Sequence, residues 1–139
     1  MVTATPARVN RAATSRPSAE AYGRDLADWP RAWMGFPHDL PPGEHLVACF
    51  RPFLAQLVAS PLSPKTIRQH VDNLWRLGGE IIRDLNDDPP RRKITADRLL
   101  RQAIHADGGP LLYHGSEDEQ RSFDSTCRKL HRFLSHPQG

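Results

Sequence analysis

Two Cys/His pairs are the residues whose spacing most resembles a reactive centre. His45 and Cys49 stand four residues apart, and so do Cys127 and His131. On a helix that spacing places both members of a pair on one face. If the two helices met face to face, thiolate and imidazole could surround Zn²⁺ as a tetrahedral set. Two features argue against a metal centre. Cys127 falls on an apolar stripe, where a free cysteine acts as a small hydrophobe. The paired-cysteine spacing of zinc modules is also absent. Tyr113-His114 offers a nucleophile beside a base, but no third group is fixed by spacing. Asp107-Gly108-Gly109 lacks the lysine and the spacing of a phosphate-binding glycine loop. The reading is therefore a chain without catalytic residues, metal or cofactor.

The basic residues are the second group with chemistry. Lys65, Thr66, Arg68 and Gln69 occupy the opening turns of a long helix, where cations and free backbone donors suit a phosphate. Arg91-Arg92-Lys93 forms a compact basic loop. Arg121, Ser125, Arg128 and Arg132 lie along one side of the last helix, with Lys129 adjacent, as a phosphate-tracking stripe would. Each set has a plainer role. Arg68, Asp72, Arg76, Glu80 and Asp84 step by four, the spacing of intrahelical ion pairs worth ~0.2–0.5 kcal/mol each. The last helix carries acids first and bases last, as its dipole favours. Arg91–Lys93 can simply balance Asp87 and Asp88.

The elements that must position these groups read as helices. Ser63 caps and Pro64 opens the central one, which runs to about Leu85. Ile67, Val71, Leu74, Gly78, Ile81 and Leu85 make its buried stripe, widened by Trp75 and Ile82. Gly78-Gly79 is unusual inside a helix. Before it, Ser18 to Trp33 is a short helix that Pro30 should end or kink, with Tyr22, Leu26, Trp29 and Trp33 inward. Residues 34–43 read as a rigid proline-rich connection, and Glu44 to Ser60 as a helix bent by Pro52. Asp87-Asp88-Pro89-Pro90 stops the central helix. Thr95 caps a short helix to about His105, and Asp107-Gly108-Gly109-Pro110 ends it. Leu111-Leu112-Tyr113 packs over the core. Ser116 and Glu119 form a capping box for the last helix, whose stripe is Phe123, Cys127, Leu130 and Leu134, with Phe133 beside it. The fold class expected is all-α: a compact bundle of four to five short helices.

The chain has 139 residues, 38% of them hydrophobic and 25% charged, enough for one core of ordinary size. Its net charge is +3. Arg8, Arg11 and Arg16 lie in residues 1–17, a stretch without acids. Of nineteen bases these three leave sixteen, against sixteen acids. Residues 1–17 thus read as a disordered basic arm, and residues 18–139 as one formally neutral helical domain. Two distant cysteines and no apolar leader suggest a reducing, cytoplasmic setting. No apolar run is long enough to span a membrane.

Two stretches resemble a known family. Leu62-Ser63-Pro64-Lys65-Thr66-Ile67, followed by Val71, Leu74 and Leu77, is similar to the start of the N-terminal core-binding (SAM-like) domain of phage-type tyrosine recombinases and integrases. Phe123 through Leu134, with Leu130, Arg132 and Phe133, resembles that domain's closing helix, and the helix from Thr95 falls where the family has one. The resemblance covers residues 44–135. It implies a four-helix DNA clamp whose central and last helices face the groove, with Lys65, Thr66, Arg68, Gln69, Arg121, Ser125, Arg128 and Arg132 at the matching positions. His70 and Gly78-Gly79 depart from the pattern. The family's catalytic domain, with its nucleophilic tyrosine, has no counterpart here, so no strand cleavage is implied.

These readings converge on a non-catalytic nucleic-acid-binding accessory module of a mobile genetic element, with DNA favoured over RNA. The alternative is a protein–protein module, such as a mobile-element-encoded inhibitor of the anti-CRISPR kind or an antitoxin. Its motivation is the neutral body and the mixed-sign faces.

Overall fold

The computed structural model describes residues 26–136. The expected basic arm, the Ser18 cap and Tyr22 lie outside these residues. A 3-10 turn at Leu26–Asp28 leads into α1 (Trp29–Trp33), and a second at Pro37–Asp39 leads into α2 (Leu40–Ala59). α3 (Pro64–Asp87) follows, then a 3-10 segment at Pro89–Lys93, α4 (Ala96–Ala103) and α5 (Glu117–Ser135). Among the described residues there is no strand, only an isolated bridge between His105 and Gly108. The all-α bundle expected from periodicity is the fold.

The long helices begin where their capping residues dictate. The Ser63 hydroxyl accepts from the Thr66 amide at 3.2 Å, with Pro64 at the first helical position. Thr95 accepts from the Arg98 amide at 3.3 Å. Ser116 and Glu119 exchange both bonds of a capping box, at 3.1 and 2.8 Å. α3 is the spine. Ile67, Val71, Leu74, Leu77, Ile81, Ile82 and Leu85 are all buried, and each contributes roughly 1.5–3 kcal/mol relative to exposure. Against them lie Leu46, Phe50, Phe53, Leu54 and Leu57 of α2, Leu99 and Leu100 of α4, and Phe123, Cys127 and Leu130 of α5.

Several boundaries differ from the sequence reading, each for a physical reason. α2 begins at Leu40, not Glu44. Pro41 and Pro42 fall in its first turn, where backbone N–H groups have no helical partner to lose. Pro30 likewise lies in the first turn of α1 instead of ending a helix. α4 stops at Ala103 because Ile104 turns extended to bury its side chain. Trp75 does not widen the buried stripe. One residue is about 100° round a helix, which carries Trp75 past Leu74 to the rim, 43% exposed. In the 111–113 stretch only Leu112 packs inward, while Leu111 and Tyr113 face solvent.

The two glycines inside α3 have a clear function. The Trp33 ring lies on the helix backbone there, so a Cβ at Gly78 would come 2.1 Å from its Cζ2. The Trp33 indole N–H donates to the Trp75 carbonyl at 2.9 Å. Trp29 lies beside it in a tilted contact, 5.8 Å away between ring centroids. Thus α1 is anchored to α3 by an aromatic ring seated where no side chain intervenes.

Candidate functional site: a cationic end and an aromatic cleft

α3 and α5 are joined by a polar seam that positions most of the expected site. The Gln69 amide donates to the Ser122 hydroxyl at 2.9 Å. The Asn73 amide donates to the Thr126 hydroxyl at 2.9 Å and to the Ser122 hydroxyl at 3.1 Å. His70 Nδ1 meets the same Thr126 oxygen at 2.7 Å. Farther along, Arg76 reaches Glu119 at 3.3 Å. Residue 70 lies beside 126 and residue 76 beside 119, so the helices run antiparallel.

His70, Asn73 and Thr126 are buried, and no buried side-chain polar atom among the described residues lacks a partner. Burial, and then the charge of Lys129, push the His70 pKa down. The sequence reading missed this seam. Its signal was available: polar residues at 70, 73 and 126 interrupt otherwise apolar stripes at helical spacing.

The antiparallel pairing sorts the charges. From residue 45 to residue 71 the chain has no acid, and from 125 to 136 it has none. Those segments include the second half of α2, the first turns of α3 and the last turns of α5, which meet at one end of the bundle. Lys65, Arg68, Arg128, Lys129 and Arg132 gather there. Lys65, Arg68, Lys129 and Arg132 make no ion pair among the described residues. Arg128 donates to the Asp107 carbonyl at 3.3 Å, which fixes the side chain.

The remaining expected residues are placed differently. Thr66 is half-buried and accepts from the Ser63 hydroxyl at 3.0 Å. Gln69 is engaged in the seam. Ser125 is half-buried on α5. Arg121 sits at the opposite end of α5, paired with Asp118. Arg91, Arg92 and Lys93 follow the far end of α3, ~33 Å from Lys65 at 1.5 Å per residue. Arg91 donates to Gln102 at 3.0 Å. Arg92 is a structural strut: it pairs with the fully buried Asp39 at 2.7 Å and also donates to Asn86. Burial alone would raise the Asp39 pKa. Arg92, the Gly35 and Phe36 amides and Asn86 outweigh it and hold the carboxyl at about 2.

The four-step ladder along α3 is replaced by other pairings. Arg76 turns across the seam to Glu119, and Glu80 pairs with Arg83 three residues on, at 3.3 Å. The Ser116 amide and then Arg76 lower the Glu119 pKa.

The Cys/His pairs are not assembled. Cys127 is fully buried beside Gly109 and Phe123, whereas His45 and Cys49 line a separate shallow cleft with Pro41, Arg92 and Asp97. Burial, then Asp124, push the Cys127 thiol up to about 12, so it remains protonated. Burial and Asp97 raise that of Cys49. Among the described residues no cluster of three or more His, Cys, Asp or Glu could hold a metal ion. No helix is long and apolar enough to cross a membrane.

A second surface emerges only in three dimensions. Between α1, the later half of α3 and the 112–115 loop lies an open cleft of about 520 Å³, walled by Trp33, Met34, Trp75, Tyr113 and His114. Its charged residues are Arg76, Glu80, Arg83 and Glu119, which form the two ion pairs already described and sum to zero. None of the five cations at the other end of α3 and α5 lines the cleft.

No protein-family model matches the chain, and no curated protein and no solved structure is significantly similar to it.

Proposed function

We infer that the chain is a non-catalytic nucleic-acid-binding module that grips the phosphate backbone of duplex DNA with the end of the bundle bearing Lys65, Arg68, Arg128, Lys129 and Arg132. The observation that carries this reading is that these five cations lie towards one end of the bundle, on stretches of α3 and α5 that contain no acid, and that none of them is in an ion pair among the described residues. Cations outside any ion pair are available to displace counterions from a polyanion. The resemblance of the α3 start and of α5 to a recombinase core-binding domain points the same way. The seam with α3 fixes the rotation of α5, and with it the directions in which its bases project.

Such a grip is backbone-directed, so affinity falls steeply with salt. With four to five phosphates engaged, log K against log[salt] should have a slope of about −4. Fluorescence anisotropy on a labelled 20-base-pair duplex between 50 and 200 mM salt measures it. Lys129→Glu with Arg132→Glu should weaken binding at least tenfold, whereas Arg91→Ala with Lys93→Ala should leave it nearly unchanged. Absence of binding at 50 mM salt, or equal losses in both double variants, overturns the reading. The protein-contact alternative draws on a different surface, the aromatic cleft, which does not overlap the cationic end.

A further inference from the structure

We propose that the aromatic cleft is the contact face of a symmetric dimer, occupied by a second copy of this chain. The five exposed large apolar side chains among the described residues are Met34, Phe36, Trp75, Leu111 and Tyr113, at 38, 53, 43, 63 and 76% exposure. Three of them line the cleft, and Leu111 adjoins the lining Leu112, whereas Phe36 stacks on His38 of the other cleft. Clustered apolar exposure rimmed by polar residues marks a contact surface.

Two properties of that side commit the occupant. First, it carries a knob beside a hole. Tyr113 projects at the rim, three-quarters exposed, next to a cleft walled by Trp33 and Trp75 with room for a phenol ring. A two-fold axis between them lets each copy's Tyr113 enter the other's cleft, the reciprocal geometry of an isologous interface. Second, the charge is self-complementary. Two arginines and two glutamates in one cleft repel neither an identical face nor each other, whereas a face of single sign would reject its own copy. Aromatic residues with arginine are also the composition that dominates the energetics of such contacts. The proposal does not rest on the nucleic-acid reading. The two are compatible, because pairing through the later half of α3 leaves a cationic end free on each copy.

Analytical ultracentrifugation of the full chain from 1 to 500 μM tests it, with circular dichroism confirming the fold of each variant. The wild type should shift from monomer to dimer across that range. Trp75→Glu and Tyr113→Ser, both at exposed positions, should each raise the dimer dissociation constant at least tenfold. A charge exchange then identifies the face. Arg83→Glu gives the cleft a charge of −2 and Glu80→Arg gives it +2. Each variant alone should remain monomeric at concentrations where their equimolar mixture associates. A wild type that stays monomeric at 500 μM overturns the proposal, as does a dimer indifferent to these substitutions or a mixture that fails to pair. DNA binding by the cationic end is read separately by anisotropy, so either result can fail without the other.

Discussion

The indole of Trp33 rests so closely on the backbone of Gly78 that a single added carbon at residue 78 would sit 2.1 Å from its ring. Helix propensity alone favours replacing Gly78, since alanine gains about 1 kcal/mol over glycine in a helix interior. The contact reverses that sign. Gly78→Ala must expel the ring or part α1 from α3, and overpacking of this kind costs ~1–3 kcal/mol. We expect a net loss of about 2 kcal/mol in urea unfolding, with a red shift in tryptophan emission. Gly79→Ala is the control. Its Cβ would lie 3.5 Å from Trp33, an ordinary contact, so the variant should be neutral or gain up to ~1 kcal/mol.

The seam should make stability depend on pH near neutrality. Folding lowers the His70 pKa through burial and the nearby Lys129 charge. A depressed histidine pKa means that the native state disfavours the proton. The resulting stability is fully present above the unfolded value near 6.5 and is lost as pH falls through it. The urea midpoint should therefore drop between pH 7 and pH 5, and His70→Gln should flatten that drop. Thr126→Val leaves the Asn73 and His70 groups short of a partner, at a cost of roughly 1–3 kcal/mol. A flat wild-type profile over this range would refute the assignment.

Asp39 should govern a second, more acidic transition. Its carboxyl is held at about 2 against an ordinary 3.8. A depressed carboxylate pKa supports the fold above the unfolded value and withdraws that support as pH falls through about 4 towards 2. At 1.36 kcal/mol per pKa unit the loss is on the order of 2 kcal/mol. Asp39→Asn should lose the acid step and start from lower stability at pH 7, by roughly 1–3 kcal/mol, because Arg92 loses its ion pair and keeps only neutral acceptors, Asn86 and the His38 carbonyl. Equilibrium unfolding at pH 7, 4 and 2.5 separates the two effects.

The features legible in the sequence were the local ones. Ser63, Thr95 and the Ser116/Glu119 box each act within three residues, and each cap is present. The apolar stripes of α3 and α5 were equally plain, because burial follows the helical repeat. Gly78 was placed correctly on the buried stripe, but its reason, the Trp33 ring forty-five residues earlier, was not legible, because a stripe drawn on one helix does not contain its neighbour. Trp75 was misread because its turn past Leu74 carries it to the rim. Arg92 read as a surface cation because its partner Asp39 lies across the fold. The sorting of Lys65 and Arg132 to one end required knowing that α3 and α5 run antiparallel, which the seam decides and composition does not. The basic candidates were thus visible as residues, but which of them stand together was not.

The antiparallel pairing of α3 and α5 gives the folded chain a lengthwise electrical asymmetry that its small net charge conceals. The end bearing Lys65 and Arg132 is mostly cationic, with Asp107 beside Arg128, while the other mixes signs through Asp84, Asp87, Glu117 and Asp118. A body so polarised experiences torque in the field of any polyanion and rotates before it touches. Encounters of the kind proposed would then be biased end-on. A shuffled surface of identical composition would tumble through all orientations and waste most of its collisions.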